Sequence, residues 1–415
     1  MDESLISGAA GRAERQELAR EVRRFLERHA SLAHNRKRIT EDLLAGSSIG
    51  TEDLLAGSSI GEVGYDEAVW RRLVDDFGAP GIQVPERFGG QGFGFAELAV
   101  LLAESGRVLL PSPLLSSAVL ATAVLLELGD ETGRDELLAR LATAERTATL
   151  ALVEPGSGWN PSSVTMVAEP DGAGVLLSGE KVVVLDGQAD VVLAAARRPG
   201  TSGEAGLLVV AVPRGHEGLE VRDTASLDPT RPLHALRFRS VRGRPLGHPT
   251  GSAADALRSA LTLATVALAA EMVGGARRSV EIAVDYAKTR AQFGRLIGSF
   301  QAIKHRCADL LAEVELADAI VGEAASAAAA AADGARGLAS MAKLQASRAY
   351  LYAALEGLHV HGGIGFTWEH DAHLYVRRAK ASDVLFGNQQ FHRRVVAEHL
   401  GLSHPTTVVA RGRGC

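Results

Sequence analysis

The spacing of apolar residues changes twice along this 415-residue chain, and these changes limit the folds open to it. In residues 1–147 apolar positions recur every three or four residues, which is typical of amphipathic helices. Residues 148–247 instead contain short apolar runs separated by Gly, Asp and Pro, as strands and turns do. Helical spacing returns in residues 248–415. We therefore predict an α+β protein with a helical N-terminal domain, a central β domain and a helical C-terminal domain at these boundaries.

Composition and charge argue against several classes of protein. The formal net charge of −6 is unlike that of a nucleic-acid-binding surface, so no nucleic-acid partner is expected. The two cysteines, Cys307 and Cys415, are too few for a disulfide framework or a zinc site, and we predict no metal. The apolar run at residues 257–273 includes two charged side chains, which favours a buried helix over a membrane span. Because the N-terminal segment is charged and has no apolar core, we expect a cytoplasmic protein.

An eleven-residue unit, TEDLLAGSSIG, occurs twice in tandem, at residues 40–50 and 51–61. Two copies are too few for a solenoid, in which about three stacked repeats are needed to bury a hydrophobic face. Surface loops accept insertions at a small entropic cost. We interpret the duplication as an insertion in a loop of the N-terminal domain, or as an error in the sequence.

Two segments of the C-terminal domain combine residues suited to binding a dinucleotide. The first, YAKTRAQFGRLIGSF at residues 286–300, leaves a helix at Arg290 and enters another after Ser299, the predicted N-cap. A guanidinium binds a pyrophosphate through several N–H donors. The second, LHVHGGIGFTWEHD at residues 358–371, contains a Gly-Gly pair, where the backbone can approach a flat ligand. We predict that the two segments form the halves of one flavin dinucleotide site.

Both segments resemble the C-terminal domain of the acyl-CoA dehydrogenases, whose RxxFGxxIxxFQ and QxxGGxG signatures correspond to residues 290–301 and 359–365. The resemblance extends over nearly the whole chain. It implies an N-terminal helical domain, a central β-barrel-like domain and a C-terminal four-helix bundle. It also implies FAD as cofactor, an acyl-CoA substrate, an electron-transfer flavoprotein as partner, and a homo- or heterotetramer with a homologous subunit. In this family the arginine reaches the FAD of a neighbouring subunit. The cofactor-binding residues that it assigns here are Arg290, Gln292, Phe293, Gln301, His359 (in place of the usual glutamine), Gly362 and Gly363.

The β domain departs from the family pattern at two flavin-contacting motifs. The TEPxxGSD motif corresponds to residues 153–160, where Val153 and Trp159 replace the two hydroxyl residues. The KxWITNG motif corresponds to residues 181–187, where Leu185 replaces the threonine and a valine replaces the tryptophan. Val153 and Leu185 thus occupy cofactor-contacting positions without a side-chain hydrogen-bond donor. We expect flavin binding by the chain's own β domain to be weakened and to depend on backbone donors.

The reaction of the family requires a carboxylate that removes a proton alpha to the thioester while FAD accepts hydride from the beta carbon. In the common arrangement this base is the glutamate of a YEGT segment, where the chain has Phe386 or Gly387. In a second arrangement the base precedes the RxxFG arginine by about 26 residues, where Ala264 stands. None of these residues accepts a proton, so the base is unassigned. Glu271 is the nearest candidate, although a buried acid is more often paired with a basic group.

Several interpretations of function stay open at this point. The segments SLDPTRPL at residues 226–233 and LFGNQQFHRR at residues 385–394 are similar to actinobacterial acyl-CoA dehydrogenases that act on steroid-derived or other bulky thioesters. Several of those pair a subunit that carries the base with one that lacks it. The leading interpretation is FAD-dependent α,β-dehydrogenation of an acyl-CoA by a hetero-oligomer in which this chain lacks the base. The alternatives are a homotetrameric enzyme with another base (Glu271, Asp383 or Glu369), a scaffold without catalysis, and another flavin reaction such as oxygenation.

Overall fold

The computed structural model describes residues 3–37, 64–129, 132–247 and 252–402. The duplicated segment at residues 40–61 lies outside these ranges. Within them, helices precede a mixed β-sheet and a second set of helices follows it, which confirms the predicted order of structural classes. The largest hydrophobic core contains side chains from all three parts, so the sheet packs against helices of both the N-terminal and the C-terminal parts.

The N-terminal part is helical, and local residues explain where its helices begin and end. The side chain of Asp66 accepts hydrogen bonds from the backbone N–H groups of Ala68 and Val69, which caps the third helix. Gly78 ends that helix with φ of +57°, a conformation that favours glycine. The helices of this part are α1 (Glu3–His29), α2 (residues 32–37), α3 (Glu67–Phe77), α4 (Phe95–Arg107), α5 (Thr122–Glu127), which continues a π-helical segment (Leu114–Ala121), and α6 (Thr132–Ala142).

The central part is an open sheet. Its strands run in the order β1-β4-β5-β7-β3-β2, and β6 also pairs with β7. The two ends of this order do not pair among the described strands, so the barrel-like form implied by the resemblance is not a closed barrel. Sequence patterns missed β2 and β6, which are short and contain a single buried residue, Ala168 in β2. The strands are β1 (Ala148–Ala151), β2 (Ala168–Asp171), β3 (Gly174–Leu185), β4 (Val191–Arg197), β5 (Leu207–Pro213), β6 (Leu219–Thr224) and β7 (Leu233–Leu246).

Strand β3 contains a bulge that determines which way its C-terminal residues face. Its pairing with β7 shifts between Lys181 and Val184, and Val183 has a φ of +55°. Positive φ is rare for a β-branched residue and marks local strain. Val184 packs within the core of the sheet, whereas Val183 and Leu185 pack against the core shared with the helices. The bulge therefore places one of the flavin-contacting motifs at the junction between sheet and helices.

The C-terminal part is organised around one long helix, α7. The apolar window of α7 is long enough to cross a membrane, but 72% of it is buried within the fold, as expected for a core helix. Glycine lets it cross α4 closely, because a Cβ at Gly274 would lie 1.7 Å from the carbonyl oxygen of Ala103. The helices of this part are α7 (Ala254–Thr289), α8 (Gln301–Ala329), α9 (Ala335–His361), α10 (Ala372–Val384) and α11 (Gln389–His399).

A short hairpin connects α7 to α8. Its strands are β8 (Ala291–Gln292) and β9 (Arg295–Leu296), with Phe293 and Gly294 at the turn in positive-φ conformations. The expectation that Ser299 caps α8 is wrong. Phe300 occupies the N-cap position, and the Ser299 hydroxyl donates to the carbonyl oxygen of Leu296 at 2.7 Å. The hydroxyl is thus used to close the turn before the helix.

Candidate functional site

The two motif segments predicted to form one site lie at the same end of the helical bundle. A small hydrophobic cluster, separate from the main core, joins the end of α7, the hairpin, the start of α8 and the end of α9. The rings of Tyr286 and His361, one from each motif segment, lie 4.4 Å apart between centroids. The cluster consists of the buried Ala283, Ala287 and Val360 with the partly buried Tyr286, Ile297 and Ile303.

The hairpin presents its predicted cofactor-binding residues to solvent. Arg290, Gln292 and Gln301 are all exposed, and Phe293 is 91% exposed. Arg290 forms no ion pair with any residue in the described ranges, and its backbone N–H donates to the carbonyl oxygen of Tyr286 at 2.8 Å. An unpaired guanidinium next to a fully exposed aromatic ring is unusual on a solvent-facing surface. The hairpin is therefore suited to an anionic ligand and a neighbouring protein surface.

The glycine turn after α9 leaves room for a ligand. Gly362 has a φ of +63°, and a Cβ at Gly362 or Gly363 would meet no atom within 4 Å. His359 is exposed, and its Nδ1 lies 3.2 Å from a carboxylate oxygen of Glu356. This acid also pairs with Arg306 at 2.7 Å. The turn offers exposed backbone and an imidazole, although part of the hydrogen-bonding capacity of His359 is already used.

The two motifs of the sheet are only partly buried, because Pro155, Gly156, Gly158 and Asn160 of the first are exposed. Val153 and Leu185 are each 5% exposed, and Leu185 belongs to the main core. Glu154 of the first motif and Lys181 of the second, which both match the family pattern, form an ion pair with Lys181 Nζ 2.8 Å from Glu154 Oε1. Burial lowers the pKa of Lys181 to about 8, while Glu154 favours its charged form. This ion pair ties the loop after β1 to β3.

Glu271 is held by two arginines in a narrow crevice between α4, α7 and α10. Its Oε1 accepts a hydrogen bond from Arg378 Nη1 at 2.6 Å and another from Arg231 Nη2. Arg378 Nε also lies 2.6 Å from a carboxylate oxygen of Asp228. The crevice that these side chains line has a volume of about 30 Å³, room for about two water molecules. The arrangement is that of a buried, paired acid, and sequence patterns gave no sign of which arginines would pair with it.

The expected positions of a catalytic base contain no carboxylate. Ala264 is fully buried in α7, and Phe386, which follows α10, is 2% exposed. Gly387 has a φ of +123°, which favours glycine. The ring of Phe386 meets that of Trp159 edge-to-face, with centroids 4.9 Å apart. Sequence motifs identified both aromatic residues as departures from the family pattern but did not predict their contact.

The chain fits a flavin dinucleotide on one side only. The hairpin and the glycine turn supply an exposed guanidinium and open backbone, which suit a diphosphate. At the junction of sheet and helices, by contrast, Val153 and Leu185 offer no side-chain donor, and the Trp159–Phe386 contact fills space next to them. The site can therefore bind part of a cofactor from its exposed face, while its buried face does not provide a cradle.

The chain is similar to acyl-CoA dehydrogenases over most of its length. Family models for the acyl-CoA dehydrogenase C-terminal and N-terminal domains match residues 254–401 and 59–145. The chain is 35% identical over 336 residues to the acyl-CoA dehydrogenase IpdE2 of Mycobacterium tuberculosis (strain ATCC 25618 / H37Rv), covering 81% of this chain and 87% of that protein.

Two of the solved structures with a similar fold are each named for a pair of components. A variant of the Tcur3481-Tcur3483 steroid ACAD is 29% identical, with a TM-score of 0.78 and coverage of 94% of this chain and 98% of that chain. A chain of the ChsE4-ChsE5 complex from Mycobacterium tuberculosis is 27% identical, with a TM-score of 0.77 and coverage of 94% and 98%. From the matching domains and the shared sequence, this chain belongs to the acyl-CoA dehydrogenase family.

Proposed function

We propose that this chain is a subunit of an FAD-dependent, hetero-oligomeric acyl-CoA dehydrogenase in which a homologous partner chain supplies the catalytic base. The proposal depends on one contrast within the chain. The hairpin exposes an Arg290 that pairs with no acid of the described residues, whereas Ala264, Phe386 and Gly387 at the base positions cannot accept a proton. A chain that retains the outward-facing half of a cofactor site without the base is suited to completing the site of another chain.

In this proposal bound FAD would supply the acceptor for a hydride from the beta carbon of an acyl-CoA thioester, and an electron-transfer flavoprotein would take up the electrons. The residues of this chain bind and orient. The Arg290 guanidinium donates hydrogen bonds to the diphosphate of a cofactor seated in the partner. The backbone at Gly362 and Gly363 approaches the same group because no side chain intervenes. Phe293 covers the cofactor from solvent at the contact between the two chains.

Similar proteins support a bulky substrate and two different chains. The Tcur3481-Tcur3483 structure is described as a steroid ACAD, and the ChsE4-ChsE5 structure as a complex of two named components. We propose a CoA thioester of a steroid-derived or comparably bulky acid as the substrate class. The partner's own pocket would determine which acyl group is accepted, because the crevice of this chain holds only about 30 Å³.

A homotetramer that uses Glu271 as base is the less favoured alternative. A general base needs a lone pair free to accept the proton of the substrate. The Oε1 atom of Glu271 already accepts hydrogen bonds from Arg231 and Arg378, and the crevice that the carboxylate faces has a volume of only about 30 Å³.

The proposal can be tested by co-expressing this chain with homologous acyl-CoA dehydrogenase chains from the same organism that carry the base glutamate. The solution mass of the product and its reduction of an artificial electron acceptor with an acyl-CoA would then be measured. We expect activity from one such pair and none from either chain alone. Turnover by this chain alone, as a homotetramer, would overturn the proposal.

A further inference from the structure

The junction between sheet and helices, where the two flavin motifs of this chain lie, is closed from within. The loop after β1 carries Trp159, and the segment after α10 carries Phe386. Their rings meet at 4.9 Å with an interplanar angle of 79°, the edge-to-face arrangement that aromatic pairs prefer. Both rings pack against the main core, so the contact is part of the folded structure and not a surface encounter.

The backbone at the closure is adapted to hold the ring in place. Phe386 has a φ of +60°, a conformation that a bulky residue rarely adopts. The following Gly387 leaves no room for a side chain, because a Cβ there would lie 2.5 Å from the ring of Phe391. Surrounding packing therefore fixes Phe386 in a strained conformation with its ring 2% exposed. Such a ring does not rotate away without loss of the packing that holds it.

Hydroxyl groups close to the junction are used within the chain. The hydroxyl of Thr149 donates to the carbonyl oxygen of Leu185, and that of Ser116 donates to the carboxylate of Asp186. Val153 and Leu185 add no donors of their own. A polar ring system that entered the junction would lose its hydrogen bonds to water and find few replacements, which costs free energy.

The empty space near the junction is in the wrong place for a flavin held by the two motifs. The crevice lined by Leu185 and Glu271 measures about 30 Å³, whereas sites for drug-sized ligands measure about 300–1,000 Å³. A larger cavity of about 340 Å³ lies beside the ring pair, with Trp159 and Phe386 in its wall. Trp159 and Asn160 at the end of the first motif line that cavity, but Val153 and all residues of the second motif do not, so the cavity does not extend between the two motifs.

We infer that this chain holds no flavin at its own sheet–helix junction, so that the assembly carries one FAD for every two chains. This inference rests on the proposed function, since it assigns the cofactor to the partner's junction and leaves Arg290 of this chain to reach it from outside. Two observations carry it: Trp159 of the first motif packs against Phe386, and the buried Val153 and Leu185 offer no side-chain donor.

The first arm of the test uses the isolated chain and FAD. After equilibration with excess FAD and gel filtration, we expect less than about 0.1 FAD per chain. Tryptophan emission is recorded during the titration for the wild type, for Trp159→Phe, and for the matched control Trp368→Phe, whose tryptophan lies on the exposed surface near the glycine turn. The inference requires that Trp159 contribute nothing to any FAD-induced change. One FAD per chain, with quenching that is lost only in Trp159→Phe, would overturn it.

The second arm uses the active complex with the partner chain. We expect one FAD per pair of chains, and the same ratio in the complex made with Trp159→Phe. An active two-chain complex with one FAD per chain would overturn the inference while the proposed function stood. Turnover by this chain alone would remove the proposed function itself. The two failures are therefore distinguishable from one set of preparations.

Discussion

Replacing Glu271 with glutamine separates a structural role for this acid from a catalytic one. Its carboxylate accepts hydrogen bonds from Arg231 and from Arg378, the latter at 2.6 Å, and all three side chains are at most 10% exposed. Glutamine keeps the shape and one acceptor but leaves two buried guanidiniums with Asp228 as their remaining anionic neighbour. Removing one partner of a buried ion pair typically costs about 3–5 kcal/mol. Because the amide oxygen can still accept a bond, we expect Glu271→Gln to lower the free energy of unfolding by about 3 kcal/mol.

Denaturant unfolding, followed by circular dichroism and tryptophan emission, would measure this loss. Glu220→Gln is a suitable control, because Glu220 pairs with Arg239 at 2.9 Å on the exposed surface and its loss should cost less than about 1 kcal/mol. In the active complex with the partner chain, below the unfolding transition, Glu271→Gln should leave turnover unchanged. A variant with wild-type unfolding and no turnover would refute this reasoning and make Glu271 a catalytic base.

Three further perturbations test other parts of the structure. Arg290→Ala should weaken FAD retention by the complex roughly 10- to 100-fold, which corresponds to the loss of one or two charge-assisted hydrogen bonds, and should leave the free energy of unfolding unchanged. The control Lys304→Ala, on the nearby exposed surface, should change neither FAD retention nor unfolding. Equal FAD retention by the two variants would contradict the role assigned to Arg290. Burial lowers the pKa of His392 to about 3, so the unfolded chain binds more protons between that value and about 6.5. The free energy of unfolding should therefore fall as the pH drops below about 6.5, by up to about 1.4 kcal/mol per pH unit. Denaturant unfolding at several pH values should show a smaller slope for His392→Gln than for the wild type. Gly274→Ala should cost about 3 kcal/mol or more in denaturant unfolding, because its Cβ would overlap the backbone of α4, whereas Gly322→Ala, with open space around it, should gain up to about 1 kcal/mol.

Local sequence patterns predict those parts of the fold in which one face of an element is buried. The continuous apolar runs of β4 and β5 correspond to strands that are buried along almost their whole length, and the apolar stripe on α8 that includes Leu310 and Val314 is buried. Strand β6 was missed because its alternation is short: Leu219 and Val221 are its only apolar residues, and all six of its residues are at least partly exposed. Periodicity reflects burial, so a strand that packs only two partly buried side chains against the core leaves little trace in the sequence.

In the candidate site, too, features formed by neighbouring residues could be predicted from the sequence, and contacts between distant residues could not. The hairpin at Arg290 and the turn at Gly362 could be identified because each depends on residues adjacent in sequence. The partners of Glu271 could not, since Arg231 and Arg378 lie 40 and 107 residues away and their choice depends on how α7, α10 and the loop before β7 pack. The sequence indicated that Glu271, if buried, would be paired with a basic group. Only the packing of α7, α10 and the loop before β7 shows that its partners are Arg231 and Arg378.

The missing base and the closed junction have one structural origin, and this explains why neither is easily reversed. Phe386 is one of the two residues at the expected position of the base, Gly387 being the other, and its ring also meets Trp159, so a carboxylate in place of Phe386 would remove part of the core. Replacing Phe386 with glutamate would therefore cost the packing of its ring in the core. The chain retains its outward-facing hairpin under no such constraint, because an exposed Arg290 contributes little to its own stability and has a role only where another molecule binds.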